Sequence, residues 1–384
     1  MSYTLKEVQK MRAPIAGLLL SLAILLSTVS LATPIFDDPK ADPHPEIVIS
    51  ESSQKLLRGD PVYFYGDDAP ENAQRLIDSL KTKLSIVVDF KELKKSNIKF
   101  IGIVTKPTPG DRYYTAYYIV EGPRIDLQKE IRELQKISKE VKRTDIGIIS
   151  TRSKLSPLSL QVSYDWNPIG SVQWKRSALD SASRAYMEFK ADYSYVTTTS
   201  GQYWYLVHTV TQGRAMTSTV AVKSLETVID ANHPQNSWQQ IEDWCPKNDG
   251  GPQTVYSYTF QINNAKEGSV SATVSYETSD GYYMKWKDRT SGYESRLDVT
   301  HEYYKQRYLR PDIAWGSQLT VEPSAIFSAD PSKGMGRTYY LSLDHVVKGT
   351  FWIRGGSGVI YTMSAPPIKF HVTVYPWKIV EYDS

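Results

Sequence analysis

Residues 268–286 read GSVSATVSYETSDGYYMKW, and this stretch gives the clearest indication of the fold. The apolar residues from Val270 to Tyr276 alternate with serine and threonine, which is the period of a half-buried β-strand. The turn residues Ser279-Asp280-Gly281 follow, and the next apolar run ends at Trp286. The pattern therefore predicts a β-hairpin over residues 268–286.

The surrounding part of the chain, residues 156–384, has the same character. All nine Trp lie in it, together with most of the 27 Tyr. Short runs of Val, Thr, Tyr and Trp are separated by Gly, Pro, Asn and Asp, and long helical patterns are missing. We therefore expect an antiparallel β-sandwich region here, either one large sandwich or two in tandem.

Residues 47–155 mix strand and helix patterns. A short strand at Val62–Tyr65 precedes a helix that has Pro70 in its first turn, where the missing N–H has no intrahelical partner to lose. A second amphipathic helix is expected over residues 125–143, and a last strand over 145–150. The order of elements predicts a small α+β domain of the split βαβ type, so the fold class is mainly β with an N-terminal α+β domain.

The N-terminus predicts export. Residues 13–36 carry no charge, and Lys6, Lys10 and Arg12 precede them. Residues 1–32 therefore fit a cleaved signal peptide, with small residues at Ser30 and Ala32. The alternative is an uncleaved membrane anchor, since residues 13–36 are long enough to cross a bilayer as a helix. Either alternative places the rest outside the cytoplasmic membrane, secreted or anchored to its outer face, with residues 33–46 as a Pro- and Asp-rich linker.

Composition and motif searches exclude several functions. The formal charge is only +3, which is unlike a nucleic-acid-binding protein. The single cysteine excludes a disulfide framework within one chain, and the six histidines show no metal-ligand spacing. We therefore expect no metal site, no cofactor and no nucleic acid among the partners.

Catalytic residues are not evident from the sequence. Cys245 is expected to be an inert thiol, and Asp344-His345 is expected to be a polar strand segment rather than part of a serine-hydrolase triad. Carboxylates such as Glu242, Asp243 and Asp288 have no diagnostic spacing. The protein is therefore expected not to be an enzyme.

The aromatic residues are the candidate binding surface. Tyr and Trp give a large contact area at low entropic cost and can stack on sugars or anchor protein partners, although they also stabilise sheets by cross-strand packing. We expect a protein or glycan ligand, with a homo-oligomer as a further option, to use the long loop predicted at residues 230–252 and a cluster near residues 282–308. The candidate residues are Tyr282, Tyr283, Trp286, Tyr293, Tyr303, Tyr304, Trp238 and Trp244.

Three functions follow from these patterns. The first is a non-catalytic cell-surface or secreted protein that acts in adhesion, envelope structure or ligand binding. The second is a pore-forming, membrane-inserting β-protein, because residues 215–223 and 268–276 alternate small polar with apolar residues. The third is a secreted hydrolase that acts on glycans. A long hairpin packed against the sandwich would favour the second function.

Overall fold

The computed structural model describes residues 45–93, 97–144, 161–162, 166–178, 184–231, 238–253, 255–265, 268–277, 282–307, 310–330 and 340–377. The predicted signal peptide or anchor (residues 1–32), linker residues 33–44 and the predicted strand at 145–150 lie outside these ranges. The described part of the chain is mainly β, and its sheets are antiparallel or mixed.

Three α-helices lie in the first part of the described chain: α1 (Pro45–Leu57), α2 (Ala69–Leu80) and α3 (Leu127–Arg143). Helix α2 has Pro70 in its first turn, as predicted, and buries an apolar stripe that includes Leu76 and Ile77. Helix α3 is capped by Asp126, whose carboxylate accepts a hydrogen bond from the Lys129 amide (3.1 Å). Helix α1 was not predicted from the sequence.

Sheet 1 is nine-stranded. Its order is β1 (Val62–Tyr65), β3 (Ile98–Lys106), β4 (Tyr114–Glu121), β6 (Asn167–Ala178), β7 (Ala185–Thr197), β8 (Tyr203–Ala215), β18 (Ser324–Ala329) and β10 (Gln239–Cys245), with β17 (Gln318–Val321) also paired to β8. Strands β4 and β6 are parallel, and the other neighbours are antiparallel.

Sheet 2 is also nine-stranded and has no strand in common with sheet 1. Its order is β11 (Gly250–Gln253), β14 (Tyr282–Asp288), β15 (Arg296–Arg307), β9 (Val220–Asp230), β19 (Leu341–Arg354), β21 (Ile368–Val374) and β2 (Ile86–Asp89), with β16 (Arg310–Asp312) on β15 and β20 (Ile360–Ser364) on β19.

The two large sheets pack face to face, as expected for a sandwich. Phe189 of sheet 1 lies edge-on to Phe370 of sheet 2, with ring centroids 5.7 Å apart, and Phe370 stacks on His345 at 4.8 Å. The sheets approach closely at Gly349, where a Cβ atom would lie 2.6 Å from the Met187 sulfur. This interlayer contact confirms the predicted sandwich.

The large sheets also include strands from the first part of the chain. Strands β1, β3 and β4 belong to sheet 1, whereas β2 pairs with β21 of sheet 2. Helix α3 packs against β3, where Gly102 leaves room for the Leu134 side chain. The sheets therefore run across the predicted boundary at 155/156, and the division into domains stays a prediction.

Sheet 3 is small and consists of β12 (Val255–Ala265), β13 (Gly268–Glu277) and β5 (Gln161–Val162). It corrects the sequence-based hairpin: residues 268–277 pair with β12, whereas residues 282–288 pair with β15 in sheet 2. The predicted loop over 230–252 was also wrong in part, because it contains strand β10. Likewise, the first half of the alternating segment 215–223 is the turn between β8 and β9.

Candidate functional site

The β12–β13 hairpin is a long, regular pair of strands with two different faces. Eight residue pairs follow in register from Val255↔Glu277 to Ile262↔Val270. Phe260 and Ile262 on β12 and Ala272 and Val274 on β13 are buried against the rest of the protein. The hairpin is therefore an amphipathic sheet with its apolar face turned inward.

The opposite face of the hairpin is polar and uncharged. Ser257, Thr259, Gln261 and Asn263 of β12 are exposed. Thr259 lies opposite Thr273, and their hydroxyl oxygens are 3.0 Å apart. No Asp, Glu, Lys or Arg occurs in the sequence 255–265 or 268–276. From Ser257 to Asn263 this face is solvated by hydroxyl and amide groups, whereas the exposed Val255, which pairs with Glu277, lies at its base.

A hydrogen-bonded ion pair fastens the hairpin to β10. The Tyr258 hydroxyl donates to the Asp243 carboxylate, at 3.0 and 3.1 Å from its two oxygens. The Lys247 ammonium lies 2.5 Å from the same carboxylate and 4.8 Å from the centre of the Trp244 ring. We call Asp243, Lys247 and Tyr258 the latch.

The pKa values of the latch residues are shifted in the direction this arrangement predicts. Burial, followed by the charge of Asp243, raises the pKa of Tyr258. Burial alone would lower the pKa of Lys247, but the hydrogen bond to Asp243, the charge of Asp243 and the contact with Tyr258 together outweigh it, and the pKa is raised. Lys247 therefore keeps its charge, and Tyr258 keeps its proton, at neutral pH.

The base of the hairpin covers the only cysteine. The Tyr256 ring lies edge-on to the Trp286 ring, with centroids 4.9 Å apart. The Tyr256 hydroxyl and the Cys245 thiol share a hydrogen bond, and Cys245 is fully buried. Burial raises the pKa of this thiol far above its ordinary value, so it is unreactive while the hairpin is in place.

The hairpin is nearly independent of the ladders of the two large sheets. Within the described ranges, β12 and β13 pair with each other and with β5, and one isolated bridge joins Ala265 to Thr198 in the β7–β8 turn. Both Thr198 and Ala265 are buried. The hairpin is therefore held by its buried apolar face and by the latch rather than by the ladders of sheets 1 and 2.

The structure places the eight predicted binding residues in several environments. Trp286 and Tyr303 are buried, and Tyr303 stacks on Tyr282 with centroids 5.3 Å apart. Tyr283 stacks on Tyr304 at 6.2 Å, on the outer face of sheet 2. A binding role for these residues stays a prediction, as it does for the remaining three. Trp238 is buried, Trp244 is half-buried with its indole N–H on Asp288 (2.9 Å), and Tyr293 is fully exposed in the turn before β15.

Asp344 and His345 belong to two separate groups. His345 is buried and shares a hydrogen bond of 2.9 Å with the Tyr193 hydroxyl. Asp344 instead lies 2.8 Å from His371 Nδ1, and Nε2 of the same ring lies 3.1 Å from the Ser342 hydroxyl. The row Ser342–His371–Asp344 has its hydrogen bonds in the same order as the Ser-His-Asp triad of a hydrolase. The Ser342 amide, which an oxyanion would need, already donates to a side-chain oxygen of Gln239 (3.4 Å), so we assign the row no catalytic step.

The described ranges hold neither a metal-ligand cluster nor a helix that could span a membrane. They contain no group of three or more His, Cys, Asp or Glu side chains arranged to hold a metal ion. None of their helices combines the length and the apolar character needed to cross a bilayer.

Sequence analysis missed β12 as the partner of β13, although β12 carries the same pattern. Tyr256, Tyr258, Phe260 and Ile262 alternate with polar residues over the whole strand. The latch residue Asp243 was considered only as a carboxylate without diagnostic spacing. An alternation of apolar and polar residues on both sides of residues 263–268 is the signal that identifies this hairpin.

Comparisons with known proteins gave distant structural likenesses and no match in sequence. No family model matches the chain, and no curated protein matches it. Among solved structures, the NetB toxin of Clostridium perfringens in its membrane-inserted form aligns with 53% of this chain and 96% of its own chain, at 6% identity and a TM-score of 0.27. A likeness at this level carries no argument about this chain.

Proposed function

We propose that this protein inserts its β12–β13 hairpin into a lipid bilayer and that several copies together form a pore. The observation that carries the proposal is the separate hairpin itself. It is amphipathic along its whole length, it is packed with its apolar face inward, and it takes no part in the ladders of sheets 1 and 2. The apolar face of such a segment can move from the protein interior into the interior of a lipid bilayer.

The length and composition of the hairpin support the proposal. Strands β12 and β13 have 11 and 10 residues, and a strand needs about 9–11 residues to cross a bilayer at a tilt. The nearest charged residues in the sequence are Lys266 and Glu267, between the two strands, and Glu277 at the end of β13. In an inserted sheet, Phe260 and Val274 would face lipid and Thr259 would face water.

The latch explains how the same hairpin stays on the protein in solution. Residues Phe260, Ile262 and Val274 bury their apolar side chains, each of which contributes about 1.5–3 kcal/mol to the packed state. In a bilayer the same side chains would be buried in lipid, so this stabilisation would not be lost on insertion. The latch is the polar part of the packed state that a bilayer cannot replace, and it therefore holds the hairpin until the membrane is reached.

The proposal implies export and self-association. A pore former acts from outside the cell that makes it, and the uncharged segment 13–36 supports a secreted or outward-anchored protein. One hairpin supplies two strands, too few to enclose a channel, so a homo-oligomer on the membrane is part of the proposal.

A reversible lock tests the proposal. Thr198 and Ala265 are direct neighbours in an antiparallel bridge, so the Cα atoms of a Thr198→Cys, Ala265→Cys variant are close enough for a disulfide. We expect the oxidised variant to release no dye from loaded lipid vesicles. After reduction, we expect it to release dye like the wild-type protein.

The two single variants, Thr198→Cys and Ala265→Cys, are the matched controls. Both should release dye from the vesicles under oxidising and under reducing conditions. Two results would contradict the proposal. One is the absence of dye release by the wild-type protein from vesicles that it binds. The other is dye release by the oxidised double variant at the wild-type rate, which would show that the hairpin does not have to move.

A further inference from the structure

A second exposed feature of the protein lies away from the hairpin. Strand β20 is an edge strand of sheet 2: it pairs with residues 350–354 of β19 on the side opposite to β9, and within the described ranges it pairs with β19 alone. We call residues 350–364 the arm. Val359 is 62% exposed, Ile360 43% and Tyr361 42%. The other large exposed apolar side chains of the described residues are scattered, whereas these three are consecutive. Ile360 and Tyr361 belong to opposite faces of β20, so this edge strand exposes an apolar side chain on each face. Exposed apolar residues on an edge strand mark an interaction site.

The arm and its surroundings are basic. The sequence from His345 to Trp377 contains no Asp or Glu, and Lys348, Arg354 and Lys369 lie within it. Arg354 and Lys369 are exposed, whereas Lys348 is paired with Glu226 at 2.7 Å. The partner of the arm therefore carries negative charge or is neutral.

Cations and indole rings lie together beside the arm. The Arg354 guanidinium lies 4.3 Å from the centre of the Trp315 ring, and the Lys223 ammonium lies 4.4 Å from the centre of the Trp352 ring. Trp and Tyr are enriched at the interface between water and lipid, where long basic side chains reach the headgroups.

A second copy of the chain is a less suitable occupant. Two β20 strands paired about a two-fold axis would bring the same basic residues, Arg354 and Lys369, of both copies together without acidic partners from the arm. An anionic bilayer instead offers phosphate and carboxylate groups to the cations and an apolar layer to Ile360 and Tyr361. We propose that the arm is a docking surface for the interface of membranes that contain anionic lipid.

The position of the arm fits the proposed function, on which this part of the inference rests. The arm is bonded to the β8–β9 turn, where the Arg354 amide donates to the Thr219 carbonyl (2.8 Å). The hairpin turn is joined to Thr198, before the start of β8. Strand β8 has 13 residues, so the Thr198 contact of the hairpin and the Thr219 contact of the arm, at its two ends, are about 43 Å apart. A hairpin that enters a membrane bound by the arm would therefore have to swing about its base.

Vesicle binding by the full-length protein tests the docking surface. The arm variant is Ile360→Ser, Tyr361→Ser, and the control is Tyr293→Ser, which removes a fully exposed tyrosine in the turn before β15. On phosphatidylcholine vesicles that contain phosphatidylserine, we expect the arm variant to bind on the order of tenfold more weakly. The control should bind like the wild type, and both variants should keep the wild-type melting temperature.

The charge contribution is tested with Arg354→Gln and with vesicles of phosphatidylcholine alone. We expect weaker binding in both cases, and weaker wild-type binding at high salt. Equal binding by the arm variant and the wild type would overturn the inference. So would equal affinity for vesicles with and without phosphatidylserine, or an arm variant that differs from the wild type only in losing a dimer in solution.

The failure of this inference and that of the proposed function are distinguishable. The oxidised Thr198→Cys, Ala265→Cys variant should bind vesicles normally although it releases no dye. Arm-dependent binding by a wild-type protein that never releases dye would overturn pore formation and support docking. If the arm variant releases dye as fast as the wild type, docking through the arm is overturned and pore formation is supported.

Discussion

Replacing Asp243 with Asn should loosen the hairpin without unfolding the sandwich. Asp243 is the acceptor for Tyr258, which joins the hairpin to β10, and the counter-ion of Lys247, which follows β10 by two residues. Asparagine has nearly the same shape and keeps one oxygen as an acceptor. The substitution therefore removes the charge of the latch and little else.

The expected size of the effect follows from the contacts. A hydrogen bond to a charged group contributes about 1 kcal/mol more than one to a neutral group. The ion pair with Lys247 is local to the segment after β10, so it does not have to break when the hairpin opens and adds nothing to this difference. About 1 kcal/mol is therefore lost from the packed hairpin, which raises the population of the open hairpin about fivefold.

Alkylation of Cys245 measures this population. The thiol is fully buried beneath Tyr256, so a reagent reaches it only when the base of the hairpin opens. We expect Asp243→Asn to react about five times faster than the wild type under native conditions. The control is Glu242→Gln, which removes an exposed carboxylate from the neighbouring position of β10, where it accepts a hydrogen bond from Ser328.

Equal reaction rates for Asp243→Asn and the wild type would refute the role given to the latch. A faster reaction that is matched by Glu242→Gln would also refute it, because the cause would then be the loss of negative charge on β10. Melting temperatures of all three proteins are needed, since global unfolding also exposes the thiol.

The remaining predictions concern stability. Burial lowers the pKa of His301 and His345 to about 3, so both stay neutral in the folded protein and bind protons only on unfolding. Stability should therefore fall as the pH decreases from about 6.5, by about 4–5 kcal/mol for each histidine at pH 3, in urea unfolding at a series of pH values. The carboxylates around His208 raise its pKa to about 9 against the effect of burial, so its contribution is present below pH 6.5 and is lost as the pH rises through 9. Trp286→Ala should lower the free energy of unfolding by about 3–5 kcal/mol because the ring is buried, whereas Tyr304→Ala, on the outer face of sheet 2, should change it by less than about 1 kcal/mol. Comparable losses for the two variants would contradict the difference in burial.

The sequence predicts the strands of this protein better than their partners. The strand at residues 268–276 was predicted correctly, because the alternation of apolar and polar residues can be read from this segment alone. The turn residues that follow have hairpin chemistry, yet the strand after them joins sheet 2. Pairing is decided by which apolar faces can be buried together, and that depends on residues far away in the sequence.

Two other elements show why prediction fails in particular places. Strand β10 contains Gln240, Glu242 and Asp243, which are poor strand formers, and it is held by pairing with β18. The latch exists only because this strand passes beside β12. Neither the strand nor the site is visible from residues 239–245 alone.

The composition of the exposed faces separates the hairpin from the rest of the molecule. The outer face of sheet 2 carries ion pairs such as Lys285–Glu302 (2.6 Å) and Arg289–Asp298 (3.0 Å). Charges of this kind keep exposed strands soluble and discourage pairing with other chains. The exposed face of β12 has none, although it meets the same solvent. A strand that served only the sandwich would gain from a lysine at Thr259, whereas a strand that must pass through a bilayer would have to carry that charge across. The uncharged face is therefore better explained by a hairpin that leaves the protein than by one that stays.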